Sequence, residues 1–375
     1  MVAHCLLLLD GVTAVEGSSA QTDYERAREL VLRFGWNAMA YQILNPGMSH
    51  WFAHEGDGVV GFVKFARTRV VGGAPVCDLA RLDAIASEFV IDAQRHGERV
   101  CFFGAGERLD SALATGSGWA RVLLGAQPVW DPGHWSDAIR RRRSLRAQFN
   151  RARNKGVTVS EWPPEVAQNH PALRQCLAQW LDSRHLPPLH FLVEPETLSE
   201  LRDRRIFVAA RGTDVMGFTI LSPVPARDGW LVEQIVRGGG APNGTAELMI
   251  DFAMRAVATS SSTYATLGLS PLSEHAVAPR IPQPLWLRAI LKWVKLHGAR
   301  FYNFGGLDAF KAKFNPDAWE PIYAIAAQSN FSPRDLYAIA GAFSGGTPLR
   351  LVARAAAKAA LQEARSVVNR LVFHG

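Results

Sequence analysis

RIFVAARGTDVMGFTILSPVPARDGWLVEQIVRGGGAPNGTAELMIDFAMRAVATS, residues 205–260, is the stretch that decides the fold. Three segments, 205–211, 215–222 and 229–236, are rich in Val, Ile and Phe and are joined by short turns such as Gly-Thr-Asp. Such runs predict antiparallel strands. Asn243-Gly244 then makes a turn, Thr245 is a good helix N-cap, and Leu248, Phe252 and Val257 begin an apolar helical face. TYATLGLS, 263–270, returns to strand, and a helix is expected over 171–184. This is an α/β (α+β) unit in which antiparallel strands lead through a turn into a helix and a further strand.

The first part of the chain follows a similar order. Tyr24, Ala27, Leu30, Val31 and Phe34 recur at helical spacing over 22–35, and Gly35 stops the helix. Residues 59–73 read as two strands or one long bent strand, 81–96 as a helix, and 99–104 and 119–125 as strands. The shared order suggests duplication of the fold without a sequence repeat. The division expected is 1–135 as a first domain, 136–160 as a basic linking helix, 161–330 as a second domain and 331–375 as a basic Ala-rich helical tail. This order resembles the N-acetyltransferase fold. It implies tandem domains with mixed, mostly antiparallel sheets flanked by helices. In that fold a Gly-rich turn presents backbone N–H groups to a pyrophosphate. Arg237-Gly238-Gly239-Gly240 does not match the usual acyl-CoA pattern, which weighs against acyl-CoA as donor.

Composition bounds the partners. The 375 residues are 48% hydrophobic, enough for two cores, with net charge +7 and pI near 9.5. A basic balance favours an anionic partner: nucleic acid, a phospholipid surface or a phosphorylated substrate. Cys5, Cys77, Cys101 and Cys176 are far apart and form no CxxC pair, so they read as small buried hydrophobes. No zinc cluster, Walker motif, dinucleotide fingerprint or nucleophile elbow occurs, and neither a metal nor a cofactor is expected. His50, His54 and His134 read as structural or surface residues. The CLLLLD run is too short for a signal peptide, and no window approaches the roughly 18 apolar residues of a membrane span. A cytoplasmic protein that meets the inner face of a membrane from the side is expected.

Residues 136–156, SDAIRRRRSLRAQFNRARNKG, place Ile139, Leu145, Phe149 and Ala152 on one helical side and eight cations around the rest. That charge density points to an external anion. Residues 284–297, PLWLRAILKWVKLH, and the tail 350–375 repeat the basic amphipathic theme. Either could lie on an anionic membrane or pack into its own domain.

Four segments resemble one family: SLRAQFNRARNKGVTV (144–159), APNGTAELMI (241–250), LGLSPLS (267–273) and FYNFGGLDAFKAKFNPDAWEPIY (301–323). Together they are similar to the soluble C-terminal catalytic part of the phosphatidylglycerol lysyltransferases, from about residue 30 to residue 325. The resemblance implies transfer of an amino acid, lysine or alanine, from aminoacyl-tRNA to a hydroxyl of phosphatidylglycerol or a similar anionic lipid. Members usually carry a multi-span flippase, so a separate flippase is a candidate partner. Glu233 falls at the family's acidic position. The arginine expected three residues later is replaced by Val236, with Arg237 one residue on. Lys311, Lys313, Trp319, Glu320 and Tyr323 match the last motif. Asn243, Arg146 and Asn150 complete the implied substrate-binding set.

The chemistry agrees with such a set. An aminoacyl ester is already activated, so transfer needs an acceptor hydroxyl against its carbonyl, a base and oxyanion donors. Glu233 could be that base or could hold the donor's α-amine. Arg237 and a lysine would meet phosphate. Lys311 and Lys313 point about 200° apart on a helix, so one of them, not both, faces the site. Asp308 is expected to cap that helix, while Phe310 and Phe314 anchor it by burial. Trp319 could stack on a base or wall the pocket. Arg146 and Asn150 share a face that could organise the interdomain cleft. The alternatives are an acyl-CoA or aminoacyl transferase acting on a soluble amine, peptide or glycan, and a non-catalytic nucleic-acid or lipid-binding module. The donor amino acid and the oligomeric state are not legible.

Overall fold

A single 13-stranded sheet carries the described residues of the protein. The computed structural model describes residues 10–114, 116, 118–184, 189–275, 283–297 and 304–345. The first half contains α1 (Asp10–Phe34), β1 (Ser49–Phe52), β2 (Gly58–Phe65), β3 (Thr68–Gly72), β4 (Val76–Cys77), α2 (Leu82–Arg95), β5 (Arg99–Ala105), α3 (Glu107–Ala112) and β6 (Ala120–Trp130). The chain then passes through α4 (Trp135–Arg140), α5 (Arg143–Asn154), β7 (Thr158–Trp162), α6 (Pro164–Ala167) and α7 (Pro171–Asp182) into the second half. The second half has β8 (Arg205–Arg211), β9 (Asp214–Val224), β10 (Gly229–Arg237), α8 (Thr245–Thr259), β11 (Tyr264–Thr266) and β12 (Ser270–Pro271). It closes with α9 (Leu285–His297), α10 (Phe304–Ala312), β13 (Ala318–Ala326) and α11 (Pro333–Ser344).

The duplication is visible in the pairing. β1, β2 and β3 are antiparallel, α2 crosses over, and β5 returns parallel to β3. Likewise β8, β9 and β10 are antiparallel, α8 crosses over, and β11 returns parallel to β10. The result is the mixed, mostly antiparallel sheet of two acetyltransferase-like units, flanked by helices. The two halves also exchange a strand. β13 lies between β5 and β6, antiparallel to both, so segment 161–330 ends inside the first half of the sheet. β6 joins the halves by pairing with β13, β11 and β12.

Four apolar clusters bury the two faces. α2 and α3 cover one face of the first half through Ile85, Phe89 and Leu109 against Phe62, Phe102 and Tyr323. α9 and α11 cover the other, with Leu287, Ala338 and Ile339 on Val70 and Cys101. In the second half α5 and α8 pack Leu145, Phe149, Met249 and Met254 onto Phe207 and Val232. α7 sets Leu173, Cys176 and Leu177 against Ile220 and Val236 on the opposite face.

Several local expectations need correction. The basic segment forms two helices, α4 and α5, because Arg142 between them has non-helical angles (φ −107, ψ 84). Thr245 does not cap α8. Gly244 does, at φ 96, while Thr245 Oγ1 donates to the Pro242 carbonyl at 2.7 Å. A glycine is required there, since a Cβ would sit 2.1 Å from the Gln148 carbonyl oxygen of α5. Asp308 lies inside α10 rather than at its start. Residues 59–73 form a hairpin, β2 and β3, turned by Ala66 and Arg67 in left-handed conformations. Cys77, Cys101 and Cys176 are buried and unpaired. The tail, 350–375, lies outside the described residues.

Candidate functional site

The sheet opens where β10 and β11 part. The two pair in parallel only from Gly229–Leu231 to Tyr264–Thr266. β10 then continues along β9 to Arg237, while the chain after Thr266 loops out and rejoins β6 as β12. Gly268 forms the apex at φ 71, its N–H donating to Thr266 Oγ1 at 3.0 Å. The loop's carbonyls therefore lose their strand partner. Lys311 of α10 supplies one, donating from Nζ to the carbonyl oxygens of Gly268 and Leu269, each at 2.8 Å.

Lys311 is only 5% exposed and contacts no carboxylate among the described residues. Its neighbour Asp308 is engaged elsewhere, by Ser270 Oγ at 2.8 Å and by His275 Nε2 at 3.1 Å. Burial pushes the amine from 10.5 to about 7, against the weaker pull of Asp308 toward the charged form. The amine is thus poised between protonation states near neutral pH, in a buried position beside an opening in the sheet. Lys313 points elsewhere, as the angular spacing requires. Its ammonium pairs with Glu247 of α8 at 2.5 Å and lies over the Phe310 ring. Phe310 and Phe314 form the expected ring pair, with centroids 5.4 Å apart.

Glu233 sits on the other side of the parting strands. The register of β10 against β9 shifts between Val232 and Gln234, so Glu233 is the extra residue of a β-bulge. Both its oxygens are held by Arg204, at 2.9 and 3.3 Å, and the two side chains are 4% and 5% exposed. Arg204 also donates to Asn45 Oδ1 and lies over the Tyr41 ring, which ties loop 190–204 to the first half. Each oxygen of Glu233 accepts one bond from Arg204, so the buried carboxylate is engaged as an ion pair. The bulge also decides the fate of the displaced arginine. Val232 and Ile235 both face α8, whereas Val236 faces α7 with Gln234. The residue three on from Glu233 shares its face, and that residue is Val236. Arg237 is turned to the α8 side, where it donates to the Ala241 carbonyl at 2.9 Å and to Asn243 Oδ1 at 3.3 Å.

The remaining candidates disperse. Arg146 and Asn150 are exposed on α5, and Arg146 donates to the Arg140 carbonyl. Trp319 stacks on His275, with centroids 4.4 Å apart. Glu320 is paired through both oxygens with Arg227, at 2.6 and 3.1 Å, and also accepts from Gln127 and Tyr264. Tyr323 belongs to the core under α2 and α3, where burial pushes its hydroxyl up to about 12. Its side chain packs; it does not line the opening. Among the described residues no group of His, Cys, Asp and Glu is placed to hold a metal. No described helix is long and apolar enough to cross a membrane. Sequence reasoning missed Arg204 and Arg227. Arg204 stands among Arg202 and Arg205 and Arg227 ends a short 3-10 turn, and the carboxylate partner of each lies 29 or 93 residues away.

Residues 28–326 match the family model for phosphatidylglycerol lysyltransferase, C-terminal. The phosphatidylglycerol lysyltransferase of Bacillus subtilis (strain 168) is 24% identical over 313 residues, 83% of this chain and 36% of that protein. That of Staphylococcus aureus (strain MRSA252) is 23% identical over 316 residues, 82% of this chain and again 36% of the relative. The chain therefore spans little more than a third of the length of these relatives. Among solved structures, a C-terminal domain from Agrobacterium fabrum superposes with a TM-score of 0.74 at 22% identity, covering 87% of this chain and 98% of that one. L-PGS from Bacillus licheniformis gives 0.71 at 20% identity, covering 85% and 95%. At these identities the likeness establishes the fold.

Proposed function

The chain belongs to the phosphatidylglycerol lysyltransferase C-terminal family, and from that premise we propose that it transfers an amino acid from aminoacyl-tRNA to a hydroxyl of an anionic glycerophospholipid. Lysine or alanine is the donor amino acid, and phosphatidylglycerol the acceptor. One observation carries this reading: Lys311, a buried amine brought to about 7 by desolvation, at the opening between β10 and β11. A base whose pKa lies near the working pH is well matched to proton transfer.

In the proposed reaction the acceptor oxygen attacks the ester carbonyl carbon and a new C–O ester bond forms. The ester bond to the tRNA ribose breaks. The acceptor's proton passes to neutral Lys311 and from its ammonium to the departing ribose oxygen, so the amine is regenerated. Glu233 holds Arg204 and the loop behind the site; it is a positioning residue in this scheme. The cations of α5 meet the phosphates of tRNA, which sets affinity and salt dependence.

The test incubates the protein with radiolabelled aminoacyl-tRNAs, one amino acid at a time, and vesicles containing phosphatidylglycerol. Label extracted with the lipid, and lost in Lys311→Met, is the expected result and names the donor. Label released only into water refutes the acceptor. Intact aminoacyl-tRNA for every amino acid refutes the donor and turns attention to acyl-CoA.

A further inference from the structure

The loop that receives the Lys311 amine leaves β11 at Thr266, turns at Gly268 and runs through β12 to His275. One turn of α10 grips it at three places. Lys311 donates to the carbonyls of Gly268 and Leu269. The next residue, Ser270, donates from Oγ to Asp308 Oδ1 at 2.8 Å. The other carboxylate oxygen, Oδ2, lies 3.1 Å from His275 Nε2 at the far end of the loop. Asp308 and Lys311 are three residues apart on α10 and so share one face of that helix.

The outer end of this network is ordered as well. A carboxylate only accepts hydrogen bonds, so His275 faces it with a protonated Nε2. The His275 ring stacks on Trp319 of β13, with centroids 4.4 Å apart and the planes inclined by 20°. Its backbone N–H donates to Ser273 Oγ at 3.3 Å. Ser270 is fully buried, whereas the His275 side chain is 45% exposed, so the contacts run from the buried amine to the surface. Other charges on the surrounding elements are committed or turned away. Lys313 is paired with Glu247 of α8, Glu320 of β13 with Arg227, and Glu274 is exposed beside His275. Among the described residues Asp308 alone has a charge felt at the Lys311 amine, where it favours the ammonium against burial.

We infer that Asp308 is a positioning residue of the transfer reaction, aiming Lys311 through Ser270 and balancing its own charge on that amine through His275, a role that rests on Lys311 being the base proposed above. Trp319 gains a task in this arrangement: it holds the imidazole with Nε2 toward the carboxylate. The imidazole N–H draws on the carboxylate's charge, so less of that charge reaches Lys311. Removing the charge of Asp308 and removing the donor of His275 therefore act on the amine in opposite directions. A residue that only supported the fold would produce no such pair of effects.

The test titrates the full chain, carrying lysine labelled with carbon-13 at Cε, by NMR and without any substrate; Lys311→Met identifies the Lys311 signal. Asp308→Asn keeps an oxygen for Ser270 and removes the charge, so the Lys311 midpoint is expected to fall by about one pH unit. His275→Phe keeps a ring on Trp319 and loses the donor, so the midpoint is expected to rise. In the transfer assay the rising limb of the pH profile follows the same two shifts. Asp308→Ala frees the loop and loses up to about 100-fold above that limb, and Asp308→Asn recovers most of the loss. Midpoints that stay in place, or that move the same way in both folded variants, overturn the inference. Transfer by Asp308→Ala at the wild-type rate overturns the positioning role. Midpoints that shift as expected beside a transfer profile that does not move refute Lys311 as the base, and Asp308's part in transfer with it. The NMR arm needs no aminoacyl donor, so failure of the base assignment and failure of the Asp308 contact are separate results.

Discussion

Replacing Lys311 with Met keeps most of the length of the side chain and removes its charge, so the pH dependence of the difference isolates the cost of burying the ammonium. In the unfolded chain the amine has its ordinary value of 10.5; in the fold burial lowers it to about 7. The folded state thus binds fewer protons than the unfolded state between these values, and stability from this group rises with pH. The penalty is complete below about pH 7, where both states are charged, and is relieved as pH climbs toward 10.5. At about 1.4 kcal/mol per tenfold the full penalty is roughly 5 kcal/mol, and about 3 kcal/mol of it falls between pH 9.5 and 6.5. Lys311→Met abolishes this dependence but leaves the Gly268 and Leu269 carbonyls unpaired, a cost of about 1–3 kcal/mol each at every pH. Urea unfolding of both proteins across this range measures the difference, and other titrating groups cancel in the subtraction. The variant is expected to gain on the wild type by about 3 kcal/mol as pH falls from 9.5 to 6.5. Parallel stability curves would refute the buried, desolvated amine. In the transfer assay the wild-type rate should rise through pH 7, and Lys311→Met should lose about 10²- to 10⁴-fold above that pH, the loss shrinking as pH falls below it.

Glu233→Leu leaves Arg204 buried without its partner and should cost about 3–5 kcal/mol in urea unfolding; adding Arg204→Met should recover most of it. Retained transfer by the folded double variant would establish Glu233 as a positioning residue, and its complete loss with normal stability would return Glu233 to the chemistry. Gly244→Ala forces a side chain into φ 96 and against the Gln148 carbonyl, so a loss above about 2 kcal/mol is expected by the same measurement. Changing Arg143, Arg151 and Lys155 together to Gln should weaken aminoacyl-tRNA binding and flatten the plot of log K against log salt by roughly 0.9 per lost phosphate contact. An unchanged slope in filter-binding assays would remove α5 from the tRNA surface.

The parts of the fold legible in the sequence are those whose period is set by burial. β8, β9, β10 and α8 each show an apolar face that repeats, and their observed spans follow the expected ones closely. β13 was illegible because Pro321 interrupts it, and proline removes a ladder donor that a central strand ordinarily needs. Here the strand accommodates it, and pairing with β6 resumes beyond Ile322 after a bulge at Leu124 of β6. At the site, the divergence of Lys311 and Lys313 follows from helix geometry alone. Which of them is buried does not, because that depends on the carbonyls of Gly268 and Leu269, more than 40 residues earlier in the chain. The bulge at Glu233 is likewise invisible locally: its sequence reads as a regular strand, and only the pairing with β9 reveals the extra residue.

The exchange of β13 bears directly on how the candidate site is built. Lys311 sits near the end of α10, seven residues before the start of β13. Phe314 locks the intervening turn under Trp130, whose Nε1 donates to the Phe314 carbonyl at 3.2 Å, and Asp317 accepts from the backbone N–H of Asp131 at 2.7 Å. The lysine's position is thus set by β6, a strand of the first half, while its carbonyl partners belong to the second. Residues 161–330 alone would leave β13 without β5 and β6, an apolar strand with two unpaired edges, which is a recipe for aggregation. Neither half holds Lys311 in place by itself. The tandem arrangement therefore supports the candidate site: β13 of the second unit inserts between β5 and β6, and that insertion helps fix the buried amine at the opening between β10 and β11.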